Sequence, residues 1–400
     1  MAGIQLSRWC SVFRHDQDAA RLSSAHQDIT FHASHSAGGA VTTAKSPRHI
    51  NLLKIFYALA GLFVFILALQ LMKAGARNFA PVLKEMALLQ TPLQALGLGW
   101  LGAYFVLSGS PVAAAALGLF NGAAIDAHQT FMMINGSRMG ASFIVLFVGF
   151  LYMVRGNESK RSLSMGLLAM LTTWTTYVPV MLLGSYFLTQ GTFSALRFSA
   201  SAELASFLDA IFDPLVAWII SWAPGLLVFV VGVLTILLAF NLIDRALPEL
   251  KLSGSEFGEA PSLLFRPIVM FLIGGAITAV SMSVSVSISL LVPLSARGYI
   301  RRENVIPYIM GANITTFIDT LVASLLMNNP ASFTIVLVEM LSVSIVSLLI
   351  MAFVYRFYER QILKLANRIT ASRRGFSLFM ILLVGVPIVL LIVPRLLNTR

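Results

Sequence analysis

Two apolar stretches of the chain, offset by a constant 175 residues, carry the same pattern of small residues. The Ser-Gly-Ser run at residues 108–110 aligns with the Ser-Val-Ser run at residues 283–285, and 26 residues beyond each second serine stands a glycine, Gly136 or Gly311. Interrupted apolar segments at corresponding places in the two halves of a membrane chain are typical of secondary transporters, in which the two halves form the binding site. We therefore expect two copies of one membrane unit.

Composition places the chain in a lipid bilayer. Hydrophobic residues make up 58% of the chain and charged residues only 11%, whereas soluble proteins carry roughly 25% charged residues. The net charge of +11 comes from cations in short loops between apolar runs. That placement is typical of cytoplasmic loops of membrane proteins and not of a nucleic-acid-binding patch, so no nucleic acid is expected as a partner.

Residues 1–50 differ from the rest of the chain. They hold five of the six histidines and no apolar run long enough for a signal peptide. This composition predicts a disordered cytoplasmic tail. Cys10 is the single cysteine, which excludes an internal disulfide.

Seven apolar runs are long enough to cross a bilayer, which takes about 20 residues. They are residues 55–72, 131–153, 163–188, 214–240, 305–327, 333–355 and 376–396. The stretches 93–125 and 267–300 instead split near their serine pairs into halves too short to span, and we expect both to be re-entrant hairpins. Gly109 and Pro111 mark the first break, because glycine permits a turn and proline lacks a backbone donor.

The positions of Lys and Arg predict the topology. Three crossings per repeat is an odd number, so the second copy must be inverted relative to the first. With the tail inside, most cations fall in predicted cytoplasmic loops, namely residues 154–162, 241–266, 297–304 and 356–375. The predicted external loops are residues 73–92, 126–130, 189–213 and 328–332, of which only 73–92 carries several cations.

The predicted fold is therefore an all-α polytopic membrane protein with two inverted-topology repeats. Each repeat holds a re-entrant hairpin and three spans, and a C-terminal span follows. The predicted domains are the tail at 1–50, repeat 1 at 51–188, an external loop at 189–213, repeat 2 at 214–355, and a basic loop with the C-terminal transmembrane helix at 356–400.

Serines alternate with apolar residues from Ser281 to Ser289 in the second hairpin. A lone β-strand in lipid would leave its backbone groups without partners, so we expect a helix there. Its serines either hydrogen-bond a solute or let neighbouring helices approach closely. Residue type leaves both roles open, and the repeat favours a binding site.

The chain resembles the sodium/phosphate cotransporter family in two motifs. Residues 311–316, Gly-Ala-Asn-Ile-Thr-Thr, resemble the family's GANIGTT motif and follow a serine-rich hairpin at the family's spacing. Residues 107–110 and 282–285 stand at the places of its QSSS motifs, and residues 136–142 at the place of its first GANIGTT motif. The glutamines and middle serines of QSSS are absent here, and Arg138 replaces an asparagine. The resemblance extends from about residue 55 to 355.

This resemblance implies sodium-coupled symport of inorganic phosphate, or a related small anion, across a plasma membrane or cell inner membrane with the N-terminus inside. Helix N-termini and hydroxyls suit an anion, so the expected substrate contacts are Ser108, Gly109, Ser110, Ser283, Ser285 and Arg138. Sodium takes oxygen ligands, and those expected for it are Asn313, Thr315, Thr316 and Ser142.

Three ionisable residues lie inside predicted spans: Arg138, Asp319 and Glu339. Such residues are functional by default and need a partner. Arg138 either binds the anion through its planar fork or pairs with one of the two carboxylates. Asp126, at the start of a predicted helix, is expected to be solvated or to cap that helix.

The sequence contains no nucleophile with a base partner, no phosphate loop with lysine and no cluster of metal ligands. We therefore expect no enzyme activity and no cofactor, with sodium as the coupling ion. Two other functions remain open, a non-transporting membrane scaffold or regulator and a transporter of an organic anion. A homo-oligomer is compatible with the sequence.

Overall fold

The computed structural model describes residues 52–85, 89–154, 159–196, 198–247, 266–282, 287 and 301–398. The predicted tail and the predicted substrate contacts Ser283 and Ser285 lie outside these residues. In the described ranges every regular element is a helix. The helices are α1 (Leu52–Glu85), α2 (Pro92–Val106), α3 (Ser110–Asn121), α4 (Ala127–Ala141), α5 (Phe143–Val154), α6 (Ser159–Gln190), α7 (Ala202–Trp222), α8 (Gly225–Ala246), α9 (Pro267–Ser281), α10 (Arg302–Thr315), α11 (Phe317–Leu326), α12 (Pro330–Leu349), α13 (Tyr355–Ala371) and α14 (Arg373–Asn398).

Eight helical segments of the described chain are long and apolar enough to cross a membrane. They are Leu52–Glu85, Ala127–Phe147, Ser164–Gln190, Glu203–Trp222, Gly225–Ala246, Arg302–Leu326, Pro330–Ala371 and Arg374–Ile392. The predicted class, an all-α polytopic membrane protein, is thereby confirmed. Their outward faces carry many exposed leucine, valine and phenylalanine side chains, which is the surface that lipid requires.

The chain departs from the prediction between residues 189 and 246. Helix α7 occupies much of the predicted external loop 189–213, and the single span predicted at 214–240 is divided between α7 and α8. Ser201 starts α7 by accepting a hydrogen bond from the backbone N–H of Leu204 at 3.3 Å. Pro224 ends the helical run, because proline disfavours a helical conformation at the residue before it, and Ala223 is extended.

Helix α1 is also longer than predicted and continues through most of the predicted external loop 73–92. It runs antiparallel to α8, since Gly61 lies against Ile243 and Gly75 against Phe229. A Cβ atom on Gly75 would come within 2.5 Å of the Phe229 backbone nitrogen. Glycine is therefore required for the close approach of these two helices.

Helices α2 and α9 correspond to each other at the offset found in the sequence. Each has 15 residues and begins with a proline, Pro92 or Pro267. Each ends at a non-glycine residue in the left-handed conformation, Leu107 with φ 55° and Met282 with φ 51°. The same stop signal therefore recurs in both halves, at the first residue of each segment that stands at the place of a QSSS motif.

The two halves also share their closest helix contacts. A Cβ atom on Gly99 would clash with the carbonyl oxygen of Met133, and one on Gly274 would clash with that of Tyr308. Gly136 and Gly311 approach α2 and α9 in the same manner, against the carbonyl oxygens of residues 96 and 271. All of these pairs are related by the offset of 175 residues. The pair α2–α4 and the pair α9–α10 are thus two copies of one packing arrangement.

Two membrane-spanning segments are divided by a single residue. Ser142 separates α4 from α5, and Thr316 separates α10 from α11. Their backbone angles match, with φ −62° and ψ −20° at Ser142 and φ −61° and ψ −19° at Thr316. These two breaks place helix ends, with their polar backbone groups, inside the apolar part of the molecule.

Candidate functional site

Arg138 lies where the starts of α3 and α11 approach α4. Its side chain is 5% exposed. Its Nη1 donates hydrogen bonds to the hydroxyls of Ser110 and Thr316, both at 3.2 Å. Its Nη2 donates to Thr320 Oγ1 at 2.6 Å. The guanidinium therefore joins α3 and α4 of the first half to the break and first turn of α11 in the second half.

Asp319 is the carboxylate partner of Arg138. Its Oδ1 lies 3.6 Å from Arg138 Nη2, which is an ion pair but too long for a hydrogen bond. The Thr320 hydroxyl bridges the two charges, since it accepts from Arg138 and donates to Asp319 Oδ1 at 2.8 Å. The guanidinium carbon also lies 4.7 Å from the centre of the Phe317 ring. Of the two carboxylates that the sequence offers, the ion pair is made with Asp319.

This ion pair leaves polar groups unused. Arg138 Nε and Asp319 Oδ2 are both buried without a hydrogen-bond partner. Neither Gly109 at the start of α3 nor Thr316 at the start of α11 makes a side-chain cap. The positive end of α3 and one unused guanidinium N–H thus lie in a site shielded from solvent, an arrangement that suits an anion.

The first serine run contributes to this site through one residue. Ser110 contacts Arg138, whereas Ser108 is half-buried in the turn between α2 and α3. Gly109 lies against α4, where a Cβ atom would come within 2.9 Å of the Ser137 carbonyl oxygen. Gly109 therefore permits the close approach that brings Ser110 to Arg138.

The four predicted sodium ligands are not gathered at one point by the hydrogen bonds of the structure. Ser142 Oγ donates to the carbonyl oxygen of Met139 at 2.6 Å, at the C-terminal end of α4. Thr315 Oγ1 donates to the Gly275 carbonyl oxygen at 2.8 Å, and Thr316 accepts from Arg138. Asn313 Nδ2 donates to Thr173 Oγ1 at 3.2 Å.

Two serines of the alternating run in the second hairpin lie among the described residues. Ser287 Oγ accepts a hydrogen bond from Thr278 Oγ1 at 2.7 Å and lies 2.8 Å from the Tyr308 hydroxyl. Ser281 Oγ donates to the Thr278 carbonyl oxygen at 3.5 Å. The Ser287 hydroxyl thus links α9 to α10, whereas the Ser281 hydroxyl bonds a carbonyl oxygen of its own helix.

A second buried carboxylate, Glu339 on α12, contacts α4 one helical turn before Arg138. Glu339 is 0% exposed, and its Oε2 accepts a hydrogen bond from Asn135 Nδ2 at 2.6 Å. Asn135 and Arg138 are three residues apart on α4 and so share a face. Asn135 is not among the residues predicted from the sequence, although an asparagine and an arginine at this spacing within an apolar span are a signal of a polar face.

Helix α6 contacts α4 and α12 and carries a run of polar residues that were not among those predicted from the sequence. Residues 172–177 read Thr-Thr-Trp-Thr-Thr-Tyr, and Tyr177 is fully buried. Thr176 Oγ1 donates to the backbone oxygen of Thr172 at 2.7 Å within the helix. The six-residue run in the middle of a span was the available signal.

The buried charges of the described residues do not balance. Arg138, Asp319 and Glu339 are the buried charged side chains, and their formal charges of +1, −1 and −1 add to −1. Within the described ranges no group of three or more histidine, cysteine or acidic side chains is placed to hold a metal ion. The network is therefore a mixed, predominantly neutral set of oxygen and nitrogen atoms with one more acidic than basic group.

A cavity of about 500 Å³ lies away from this network, at the start of α4, and is lined in part by Lys84, Gln90 and Asp126. Asp126 caps α4 as predicted, since its Oδ1 accepts from the Gln129 backbone N–H at 2.8 Å. Asp126 and Arg138 are separated along α4 by roughly 18 Å at 1.5 Å per residue. The cavity and the charged network are thus separate features.

Comparisons of the chain with protein-family models, with curated proteins and with solved structures found no match.

Proposed function

We propose that the protein is a secondary active transporter that moves inorganic phosphate, or a related small anion, together with sodium. The observation that carries this proposal is the buried guanidinium of Arg138 at the start of two interrupted helices, in contact with Ser110 and Thr316. A fixed guanidinium, hydroxyl donors and helix N-termini are the groups that bind phosphate oxygens. The function is binding and passage, and it uses no enzymatic chemistry.

Charge balance supports coupling to a cation. The buried network already holds two carboxyl groups and one guanidinium, and an anion that enters it adds negative charge. Unpaired charge in a low-dielectric interior is costly, so an anion is accommodated there only together with cations. Co-binding of sodium meets this requirement, and a sodium gradient then drives the anion across the membrane.

The inverted topology is part of the proposal, and contacts between loops support it. Two loops predicted to be external meet where His128 Nε2 lies 3.2 Å from Thr189 Oγ1. Asn121, near the end of the first predicted hairpin, reaches a third such loop, with its Nδ2 2.8 Å from Ser332 Oγ. Segments predicted to be cytoplasmic meet one another elsewhere, where Arg302 donates to Asn367 at 3.2 Å. Grouping of this kind is expected if the two sets of loops lie on opposite sides of the membrane.

Helix α7 is compatible with this topology because both of its flanks contact the predicted external end. Before α7, Phe198 packs against Phe333 with ring centres 5.2 Å apart. After α7, Gly225 lies against Gly75, which belongs to the predicted external loop 73–92. If α7 starts and ends on one side, α8 alone makes the crossing that was predicted at 214–240, and the number of crossings stays odd.

The re-entrant character of α2 and α3 rests on their lengths. Helices of 15 and 12 residues are about 22 and 18 Å long, shorter than the roughly 30 Å hydrocarbon core. The left-handed residue Leu107 ends α2 close to the buried Arg138 contact made by Ser110. The proposal places this turn near the bilayer midplane, with the N-terminus of the chain in the cytoplasm and the protein in a plasma membrane or cell inner membrane.

The test is uptake by the full-length protein in liposomes. An inward sodium gradient is expected to drive accumulation of labelled phosphate, and replacement of sodium by choline is expected to abolish it. Arg138→Lys keeps the charge but loses the planar fork, so phosphate affinity is expected to fall. The matched control is Ser221→Ala, at an exposed serine whose hydroxyl bonds its own helix. Uptake of dicarboxylates instead of phosphate would identify an organic-anion transporter, and no uptake of any anion would favour a scaffold or regulator.

A further inference from the structure

Four buried oxygen atoms without hydrogen-bond partners lie on the facing helices α4, α6 and α12. They are Asn135 Oδ1, Glu339 Oε1, the Tyr177 hydroxyl and Ser342 Oγ. All four residues are 0% exposed. Buried polar atoms in proteins are almost always satisfied, so a group of unsatisfied oxygens calls for a bound species.

Contacts among the three helices bring these residues together. Asn135 Nδ2 donates to Glu339 Oε2 at 2.6 Å. The unused oxygens, Asn135 Oδ1 and Glu339 Oε1, belong to the same amide and carboxylate groups as these bonded atoms and so lie close to this hydrogen bond. Ser342 follows Glu339 by three residues on α12, so the two share a face. The three helices contact one another in every pairwise combination. Tyr177 lies one turn after Trp174 on α6, and Trp174 Nε1 donates to the Met139 carbonyl oxygen of α4 at 3.1 Å.

The orientation of the Asn135 amide is fixed by two acceptors. Its Nδ2 donates to Glu339 Oε2 at 2.6 Å and to the Phe131 carbonyl oxygen at 3.0 Å. A flipped amide would place an oxygen against both acceptors, so Oδ1 is the atom left without a partner. An acceptor-only carbonyl oxygen beside an unused carboxylate oxygen is an arrangement that a cation satisfies.

We propose that Glu339, Asn135, Tyr177 and Ser342 bind a monovalent cation, with sodium as the ion used by the transporter proposed above. One carboxylate and several neutral oxygens form a hard ligand set that suits an alkali cation. A single positive charge brings the buried sum of −1 to zero, whereas a divalent ion would reverse its sign. This site is separate from the four predicted sodium ligands, of which none is among its residues.

The test is direct sodium binding to the purified full-length protein, measured with labelled sodium and by thermal unfolding in sodium chloride against choline chloride at constant ionic strength. Sodium is expected to raise the unfolding temperature saturably, because a ligand of the native state stabilises it. Glu339→Gln is expected to abolish both signals. The matched control Asp213→Asn, at an exposed carboxylate, is expected to leave both unchanged.

Asn135→Ala and Tyr177→Phe each remove one neutral ligand and are expected to raise the dissociation constant for sodium about tenfold. These variants carry the test if Glu339→Gln does not fold. Unchanged sodium binding in Glu339→Gln, or in both neutral-ligand variants, overturns the site. Stabilisation that follows pH and not sodium concentration also overturns it and assigns a proton to Glu339.

An experiment that disproves this cation site can be distinguished from one that disproves the proposed function. The role of the site in coupling rests on that function. The binding assay contains no phosphate and the same chloride concentration in both arms, so sodium binding persists even if no anion is transported. Conversely, sodium-driven phosphate uptake with a normal sodium dependence in Glu339→Gln would retain the transport function and eliminate this site.

Discussion

Arg138 Nη2 and Asp319 Oδ1 lie 3.6 Å apart in the interior of the molecule, each on a different copy of the repeated unit. The side chains of Ser110, Thr316 and Thr320 complete the coordination of the guanidinium. An ion pair of this kind can stabilise the fold, select the anion, or do both. Variants that remove one member of the pair, or both members, distinguish these roles.

The first prediction concerns stability. Arg138→Met or Asp319→Leu alone leaves a buried charge without its partner and is expected to cost about 3–5 kcal/mol of the free energy of unfolding. The double variant removes both charges and is expected to recover most of that loss. Chemical unfolding in detergent measures all three. Additive losses in the double variant would show that the two residues do not interact.

The second prediction concerns the serine that contacts Arg138. Ser110→Ala removes a hydroxyl at the proposed anion site. A lost hydrogen bond to a charged oxygen is worth about 1.5–3 kcal/mol, so phosphate affinity should fall roughly tenfold or more. Ser108→Ala, in the half-buried turn, is the matched comparison and should have the smaller effect. If alanine at both positions leaves transport normal while leucine prevents folding, the serines serve only helix packing.

The third prediction concerns the sodium ligands expected from the sequence. Asn313→Ala and Thr316→Val remove oxygen ligands with little change in bulk and should raise the sodium concentration needed for half-maximal uptake more than they weaken phosphate binding. Initial rates over a sodium series provide the measurement. Undiminished transport in sodium-free buffer at matched pH contradicts the coupling.

The fourth prediction concerns the topology. With Cys10→Ser the chain has no cysteine, so single cysteines can be placed at chosen positions and labelled with a membrane-impermeant maleimide. Cysteines at Ser201 and Asn329 should react from outside, and those at Ser159 and Ser372 only after the membrane is opened. Reaction of Ser201→Cys and Ser159→Cys from the same side would exclude the inverted arrangement.

The fifth prediction concerns the glycines at the repeated contact. Gly99→Ala and Gly274→Ala place a Cβ atom against a backbone carbonyl oxygen, and overpacking typically costs about 1–3 kcal/mol. Gly385→Ala is the matched control, because no atom lies within 4 Å of its Cβ position. It should be neutral or stabilising, since alanine favours the helix. Equal unfolding temperatures for all three variants would contradict the close packing.

The sequence was informative where a local signal sets the structure. Pro92 and Pro267 start equivalent helices, and the breaks predicted near the serine pairs fall at Leu107 and Met282. It was misleading around α7, because Asp213 and Pro214 interrupt the apolar pattern, yet the helix continues through both. A proline inside a helix and an exposed carboxylate are tolerated at this position, which local propensity does not anticipate.

Sequence patterns could not reveal which buried polar groups meet. Asn135 and Glu339 are separated by 204 residues and make a hydrogen bond only because α4 and α12 pack side by side. The partner of Arg138 was likewise open between two carboxylates until the position of α11 was known. Tertiary packing, and not residue type, assigns these pairs.

The sharing of one face of α4 by Asn135 and Arg138 has a mechanical consequence. Both residues lie on one helix in the first half of the chain, and both hydrogen-bond residues of the second half. Asn135 donates to Glu339. Arg138 donates to Thr316 and Thr320. A sliding or rotation of α4 therefore changes the hydrogen bonds of Asn135 and of Arg138 at the same time. The two contacts between the halves of the chain are therefore coupled through one helix, and loss of either is expected to weaken the other.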